Sequence, residues 1–383
     1  MSHPLRGSTA IVGVSTAGLG SCPGHSEMDI IVSAAHQALA DAGLKTTDVD
    51  GLFSCSTVYS LATLSIGEYL GIKPKYSDSN QVGGSSFVGH MLTAAMAIQN
   101  GLCETALIVY GSNQYSATGK LVGLPEPDLY EAPYEPKQPP SSYAMVAARH
   151  MYEFGTTREQ LAHVAVAARN WAKMNPEAFM RDDLTIEDVL NSRMVSDPLS
   201  VRDCCLVTDG GGAIVMVAAD RAKDFSHKPA HVLGIGMAHY HRNISGMPDF
   251  TVSAAADSGK RAFEMSGMTP ADVDVLELYD AFTINTIMFL EDLGFCKKGE
   301  GGAFVADGNI GPGGNTPVNT NGGGLSCCHP GMYGMFTIVE AVRQLRGNCG
   351  ERQIMNAEVA LCQGNGGRFS SQITALIGTE STL

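Results

Sequence analysis

No run of three or more lysines or arginines occurs in the 383 residues, and 39 acidic side chains outnumber 25 basic ones, which gives a formal net charge of -14. Proteins that bind nucleic acids or anionic membrane surfaces neutralise phosphates with clustered cations. Because the chain has no such cluster, we expect neither nucleic acid nor membrane as a partner.

Long apolar runs are also missing. No segment approaches the ~18 uninterrupted apolar residues of a membrane span. The start of the chain, MSHPLRGSTAIVGVSTAG, lacks the charged, apolar and small-residue order of a secretory signal. These features predict a cytoplasmic protein.

Paired cysteine motifs are absent as well. The chain has 10 cysteines, which occur singly or as the adjacent pairs Cys204-Cys205 and Cys327-Cys328, and no CxxC. Structural zinc sites bring cysteines and histidines together in closely spaced pairs. The spacing therefore predicts reduced thiols and no metal site.

The chain does contain an internal repeat. ALADAGLKTTDVDGL at residues 38–52 is similar to AFEMSGMTPADVDVL at residues 262–276. A second pair of segments is separated by nearly the same number of residues: AIVGV at 10–14 is similar to HVLGI at 231–235. Two pairs in the same order indicate a duplicated domain.

Each repeat reads as strand, long helix, turn, strand and helix. The apolar spacing predicts a helix over 28–42, with Gly43 and, in the second repeat, Gly267 as left-handed stops. Thr269-Pro270 is typical of the N-cap and first turn of a short helical segment. Alternating elements of this kind favour an α/β fold, with mostly parallel sheets covered by helices.

The duplication divides the chain into halves at 1–227 and 228–383. Between them lies a different kind of sequence, at about 114–201. It holds a Pro/Tyr-rich stretch and then helical patterns without strand signals. We interpret it as an inserted loop domain that covers one end of the sheets, and we expect residues 121–143 to form walls of a pocket.

Three glycine-rich stretches are candidates for a site: GGSS at 83–86, NTNGGGLSCCHPGMYG at 319–334 and LCQGNGG at 361–367. Glycine lets backbone amides approach a ligand, as an oxyanion hole requires, although ordinary turns use glycine too. His329 follows one of these stretches and precedes a helical pattern, where unpaired amides attract negative charge.

These blocks resemble the thiolase superfamily, and in particular its branch of sterol-carrier-protein-type thiolases and lipid-transfer-protein-like enzymes. ELYDAF at 277–282 looks like the ELNEAF or ELHDCF block of that family, and GGGLSCCHPGMYG resembles its GHP block. ALCQGNGG is similar to its C-x-G-G-G block, and VTDGGGAIVM at 207–216 to its SDGAAA strand. The resemblance implies a five-layered αβαβα thiolase fold that acts on acyl-CoA thioesters.

The resemblance also implies roles for single residues. His329 matches the histidine that polarises the thioester and activates the nucleophile. Cys362 matches the cysteine that acts as acid and base at the substrate α-carbon, although a small buried thiol is the simpler interpretation of it. Gly364 would supply an oxyanion amide beside it.

The family pattern breaks at the nucleophile. Counting back along the helix that ends in AAMAIQNG places Gly84 at the cysteine position, with Ser85 and Ser86 next, and no cysteine lies between Cys55 and Cys103. A serine hydroxyl has a much higher pKa and needs a strong base to attack a thioester. We therefore assign Gly84 and Ser85 to substrate or oxyanion binding and expect thiolysis to be impaired.

A second departure is the phenol of Tyr279 in place of the Asn or His of the ELNEAF/ELHDCF block, with Tyr333 following His329. Core tyrosines are the simpler interpretation. The combination resembles the thiolase-like retro-aldolases of steroid side-chain breakdown. By that resemblance, Tyr279 or Tyr333 removes the β-hydroxyl proton, and the other tyrosine or Cys362 protonates the enolate held by His329 and backbone amides.

Two alternatives remain from the sequence. One is acyl transfer with Ser85 or Ser86 as nucleophile, and the other is a non-catalytic acyl-CoA or lipid binder. We expect no bound cofactor, since coenzyme A enters as part of the substrate. The resemblance further implies at least a homodimer, and a small OB-fold, zinc-ribbon partner protein.

Overall fold

The repeated sequence segments fold into two matching sets of strands and helices in the computed structural model, which describes residues 3–120 and 130–383. The first set follows the predicted order of strand, helix and strand. It comprises β1 (Thr9–Gly20), α1 (Glu27–Asp41), β2 (Gly51–Phe53), α2 (Ala62–Leu70), β3 (Tyr76–Asp78), α3 (Ser86–Gln99) and β4 (Thr105–Ser112).

The insertion follows β4 and is mainly helical. It contains α4 (Gln114–Thr118), α5 (Pro140–Phe154), α6 (Arg158–Lys173), α7 (Ile186–Leu190) and a hairpin of β5 (Met194–Ser196) and β6 (Leu199–Ser200). The hairpin corrects the expectation that this segment has no strands; MVSDPLS is short enough for a turn at its Asp-Pro step to hide the pattern. Residues 121–129, part of the expected pocket wall, lie outside the described residues.

The chain then completes the first set and builds the second. The first set ends with β7 (Asp209–Ala218) and α8 (Ala219–Ala222). The second set comprises β8 (Ala230–His239), α9 (Ala255–Ser266), β9 (Val275–Glu277), α10 (Thr283–Asp292), α11 (Gly301–Ala306), α12 (Gly334–Arg346), β10 (Val359–Gly366) and β11 (Ser371–Gly378). The division proposed between 227 and 228 falls between α8 and β8 and stays a prediction.

Local signals at the helix ends act as the sequence predicts. Ser26 caps α1, with its side chain accepting from the Asp29 N–H, and the helix stops just before Gly43, whose φ is +69°. Gly267 ends α9 with φ +71°. Thr269 precedes a single 3₁₀ turn that begins at the next residue, a proline.

Strand directions differ from the expected mostly parallel arrangement. In the described part of the chain, nine of the strands form the main sheet in the order β3-β2-β4-β7-β1-β8-β11-β10-β9, and among them only β2–β3, β2–β4 and β9–β10 pair in parallel. The prediction of mostly parallel sheets is therefore wrong. Helical crossovers give parallel neighbours, but β7 returns through the insertion and β11 through a short hairpin, so both run antiparallel to their neighbours.

Helices divide the molecule into five layers. The two half-sheets meet where β1 pairs with β8, and α3 and α12 pack against each other between them. The outer face of the first half-sheet is covered by α1 and α2, and that of the second by α9. Core residues of the central layer include Phe87, Met91, Ile338 and Val342. Both central helices begin at the same end of the sheets, which places their N-termini side by side.

Within residues 3–120 and 130–383, no helix combines the length and apolar character needed to cross a membrane.

Candidate active site

A cavity of about 770 Å³ lies where the N-terminal ends of α3 and α12 meet the insertion. Both halves and the insertion contribute to its wall. The lining includes Gly83, Gly84, Gln138, Tyr143, Cys205, His239, Tyr279, Phe282, His329, Gly331, Met332, Asn365 and Gly367. The volume is in the range that encloses drug-sized ligands.

Tyr279 and His329 form a hydrogen-bonded pair in the wall of this cavity. The Tyr279 hydroxyl lies 3.1 Å from His329 Nε2, and the backbone N–H of Tyr333 donates to the same hydroxyl over 3.0 Å. Because the phenolic oxygen accepts from a backbone donor, its own proton is free to point at the imidazole. The geometry therefore allows a proton to pass from the phenol to His329.

Burial sets the charge of both groups. It raises the pKa of Tyr279 well above its ordinary value, against the lowering effect of the Tyr333 N–H, and it lowers the pKa of His329 to about 4. A phenol and an imidazole are both neutral in the resting site. A neutral imidazole can accept the phenolic proton, which an imidazolium cannot do.

Backbone contacts hold the imidazole in place. The N–H of His329 donates to Thr208 Oγ1 over 3.0 Å, and its carbonyl accepts from Gln114 Nε2 over 2.9 Å. Asp280, next to Tyr279 in the sequence, accepts from the backbone N–H groups of Gly324 and Leu325 at 2.6 and 3.3 Å. This carboxyl fixes the glycine turn that leads to His329, and burial raises its pKa to about 7.

Gly84 leaves no room for a side chain because the Tyr279 ring fills the space. A Cβ added at Gly84 would lie 2.2 Å from Tyr279 Cε2 and 2.5 Å from its hydroxyl. Such distances are far inside van der Waals contact. The phenol and a side chain at position 84 exclude each other.

Known proteins with similar sequences place the chain in one family. A family model described as "Thiolase C-terminal domain-like" matches residues 236–379. The chain is 35% identical to an acetyl-CoA acetyltransferase of Methanothermobacter thermautotrophicus over 94% of this chain and 96% of that protein. The chain belongs to the thiolase superfamily.

Two further relatives of this thiolase-superfamily protein are aldolases. A steroid side-chain-cleaving aldolase of Thermomonospora curvata is 34% identical over 90% of this chain and 91% of its own. A solved structure, the Ltp2-ChsH2(DUF35) aldolase, superposes with a TM-score of 0.90 at 32% identity, covering 99% of this chain and 100% of that one. The predicted family, its sterol-carrier branch and the thiolase fold are confirmed.

Neither serine expected as a substitute thiolase nucleophile faces the cavity. The Ser85 side chain is fully buried, with its Oγ 2.7 Å from Ser371 Oγ and donating to the Val82 carbonyl over 3.1 Å. Ser86 Oγ donates to the Gly83 carbonyl over 2.7 Å. Both hydroxyls serve the turn that begins α3.

Gly364 has a packing role in this arrangement. A Cβ at Gly364 would lie 2.7 Å from Ser85 Cα, and one at Gly366 would lie 1.7 Å from the Val82 carbonyl oxygen. Glycines in β10 therefore let the start of α3 pack directly on the strand. The predicted oxyanion role of Gly364 has no support from its position, since only its neighbours from Asn365 onward line the cavity.

Tyr333 and Cys362 do not line the cavity, and the proton-transfer roles expected of them stay predictions. The Tyr333 hydroxyl donates to Asn321 Oδ1 over 2.9 Å in the interior, its ring packs edge-on against the Tyr279 ring with centroids 5.6 Å apart, and its backbone N–H donates to the Tyr279 hydroxyl. The Cys362 thiol is fully buried, 3.6 Å from the Thr337 carbonyl oxygen. Of the predicted side chains, Tyr279 and His329 line the cavity with Gly84 against them, and the Tyr333 ring packs on both without lining it.

Tyr143, at the end of the predicted pocket wall, and Cys205 both line the cavity and carry exchangeable protons, but no sequence pattern gave either of them a role. The first lies in the Pro/Tyr-rich stretch and the second in an adjacent cysteine pair, and neither pattern marks a site. Within the described ranges, no group of three or more His, Cys, Asp or Glu side chains could hold a metal ion.

Direct titration should show that His329 stays neutral through the physiological range. With a folded pKa of about 4 against about 6.5 in the unfolded chain, folding excludes a proton that the unfolded imidazole binds. The contribution of His329 to stability is therefore complete above pH ~6.5 and declines as the pH falls towards ~4. In ¹³C-histidine-labelled protein, assigned with His329→Asn, its NMR signal should not titrate between pH 8 and 5; a midpoint near 6.5 would contradict the burial argument.

Proposed function

We propose that the protein is a carbon–carbon lyase that cleaves β-hydroxyacyl-CoA thioesters by a retro-aldol reaction. One observation carries the proposal: the Tyr279 phenol, bonded to neutral His329, occupies the space that a nucleophile at position 84 would need. Proton transfer is thereby available in the cavity, and covalent attack from that position is not. The two aldolase relatives support the same reading.

In this mechanism Tyr279 removes the β-hydroxyl proton while its own proton moves to His329 Nε2. The bond between the α- and β-carbons breaks, the β-carbon becomes a ketone, and its electron pair forms the enolate of the shortened acyl-CoA. The resulting imidazolium lies in a buried site, where its charge favours the enolate more strongly than it would in water. An acid then protonates the α-carbon, and the extra proton on His329 passes through the cavity or solvent to the conjugate base of that acid, which restores the resting site.

The substrate proposal follows the relatives and the size of the cavity. The Thermomonospora curvata aldolase is named for cleaving steroid side chains. A cavity of about 770 Å³ suits a bulky acyl group. We therefore choose the CoA thioester of a steroid side-chain acid with a β-hydroxyl group as the first substrate to test.

Cleavage of that thioester should proceed without free CoA and release ketone and shortened acyl-CoA in equal amounts. Chromatography coupled to mass spectrometry measures both products, and intact-protein mass spectrometry should detect no acyl adduct. Turnover of a β-ketoacyl-CoA that requires free CoA, with an acyl adduct on the protein, would contradict the proposal. Binding of the thioester without any turnover would point instead to a non-catalytic binder.

Acyl transfer is the second candidate, favoured by the 35% identity to an acetyl-CoA acetyltransferase. The positions of the serines argue against it, because the hydroxyls of Ser85 and Ser86 are bonded within the α3 turn rather than turned to the cavity. A Ser85→Ala variant distinguishes the two reactions. Retained cleavage supports the lyase, and lost activity with intact folding supports the acyltransferase.

We further propose a partner protein of the kind named in the Ltp2-ChsH2(DUF35) aldolase, a small OB-fold, zinc-ribbon protein, and at least a homodimer. The likeness of this fold to that aldolase supports the partner protein, and the family resemblance alone supports the homodimer. Co-expression with a DUF35 protein followed by light scattering measures both stoichiometries. A monomer whose cleavage rate does not increase when the DUF35 protein is added would contradict both proposals.

A further inference from the structure

The proposed reaction leaves one step without an assigned group, and this inference rests on that proposed function. After carbon–carbon cleavage the α-carbon of the enolate must receive a proton. The two groups expected to donate it do not line the cavity, since the Tyr333 phenol is bonded to Asn321 and the Cys362 thiol lies beneath α12. Another proton-bearing group in the cavity wall must supply it.

Tyr143, from helix α5 of the insertion, lines the cavity and is held on both its ring and its hydroxyl. Its ring stacks on Phe282 with centroids 4.2 Å apart and an interplanar angle of 24°. Its hydroxyl accepts from Asn365 Nδ2 over 2.8 Å and donates to the Gly367 carbonyl oxygen over 3.2 Å. Asn365 and Gly367 line the same cavity.

A chain of three amides fixes which way the Asn365 side chain points. The backbone N–H of Tyr279 donates to Gln363 Oε1 over 3.2 Å, so the Gln363 side-chain nitrogen faces the other way and donates to the Gln372 oxygen. Gln372 Nε2 then donates to Asn365 Oδ1 over 2.6 Å. Each amide has one oxygen and one NH₂, so an obligate backbone donor at one end sets the direction of the whole chain.

The orientation of the three amides decides how Asn365 meets Tyr143. The Asn365 NH₂ must donate to the Tyr143 oxygen, so the phenolic proton is directed away from Asn365 and at the Gly367 carbonyl oxygen in the cavity wall, from which the hydroxyl can rotate towards a bound substrate. A donor on the phenolic oxygen also stabilises the phenolate that remains after transfer, although burial raises the pKa of Tyr143 to about 12. A phenol of this kind stays protonated until an acceptor as basic as an enolate carbon meets it.

We propose that Tyr143 donates the proton to the α-carbon of the enolate and that Asn365 positions it. The phenolic O–H bond breaks, and a C–H bond forms at the α-carbon from the electron pair of the enolate. No oxidation or reduction takes place. The Tyr143 phenolate then regains a proton through the cavity. The proton that Tyr279 and His329 took from the β-hydroxyl closes the balance. The two ends of the reaction thus use two tyrosines joined by the amide chain.

Hydrogen exchange at the α-carbon tests this assignment independently of cleavage, because the acid that protonates the carbon must also deprotonate it in reverse. Wild-type protein incubated with acetyl-CoA in D₂O should incorporate deuterium, measured by mass spectrometry. Tyr143→Phe, which keeps the stacked ring, should slow exchange by about 10²-fold or more. Asn365→Leu, which removes the donor, should slow it by about 10-fold. The matched control is Tyr152→Phe, on the same helix with 82% of its side chain exposed.

Several outcomes separate the possibilities. Wild-type exchange rates in Tyr143→Phe, or no exchange by the wild-type protein, overturn the assignment. Lost exchange in Tyr333→Phe or Cys205→Ala, with Tyr143→Phe unaffected, transfers the role to those residues. Exchange that depends on Tyr143, in a protein that cleaves no β-hydroxyacyl-CoA, supports the role of Tyr143 while rejecting the retro-aldol function. Circular dichroism and the dissociation constant of acetyl-CoA report whether each variant remains folded and binds.

Discussion

Replacing Tyr279 by Phe should lower the rate of carbon–carbon cleavage by about 10²- to 10⁴-fold, the usual contribution of a positioned acid or base. The ring would still fill the space against Gly84, but no oxygen would remain to take the β-hydroxyl proton or to bond His329. Steady-state kinetics with the β-hydroxyacyl-CoA should show the loss in kcat, with little change in the dissociation constant of the thioester.

The same variant should also lose a modest amount of stability. It leaves His329 Nε2 and the Tyr333 N–H without their buried hydrogen bonds, and an unpaired buried polar group costs about 1–3 kcal/mol. Tyr69→Phe, at a residue 60% exposed on α2, is a suitable control. Undiminished kcat in Tyr279→Phe would assign the base to another group and remove the basis of the proposed mechanism.

Replacing Gly84 by Cys should disable the enzyme rather than restore a thiolase. The new Cβ would begin 2.2 Å from the Tyr279 ring, so that the ring or the start of α3 must move. Overpacking of a buried site costs about 1–3 kcal/mol. Misplacing a reacting group by about 1 Å lowers rates by about 10²-fold. Thermal unfolding and the cleavage assay measure the two effects, and thiolysis with free CoA should not appear.

A second substitution tests whether the collision is the cause. In Gly84→Cys with Tyr279→Asn the ring is gone, so the stability lost in Gly84→Cys alone should be regained, with a coupling of about 1–3 kcal/mol between the two positions. Gly311→Ala is the matched control, because its added carbon would lie 3.8 Å from the nearest atom. Wild-type stability and activity in the Gly84→Cys single variant would show that the two positions are independent.

Prediction from the sequence succeeded where a local signal and a repeat carried it. The duplicated segments, the helix stop before Gly43 and the Thr269-Pro270 turn depend on short-range preferences, and all appear in the structure. Tyr279 and His329, both predicted as site residues, line the same cavity. The block that contains Tyr279 follows β9, and the block that contains His329 precedes α12. These two elements meet at the same end of the sheets.

Side-chain direction is what the sequence did not predict. Tyr333 lies four residues after His329 at the N-cap of α12, where its hydroxyl donates to Asn321 while its ring edge and N–H contact Tyr279. Cys362 lies three residues before Asn365 in β10, about 10 Å deeper along the strand, where α12 covers it. A motif aligned by letters does not fix which position along a strand reaches the cavity.

The sequence by itself determined the duplicated α/β plan, the family and the loss of a cysteine nucleophile, because these depend on residue types and their order. Only the tertiary structure decided that the phenol at 279 fills the space above Gly84, that both neighbouring serines are turned away, and that Tyr143 enters the cavity from the insertion. Those facts depend on distances between segments far apart in the chain, which are set by how the central helices pack between the two half-sheets.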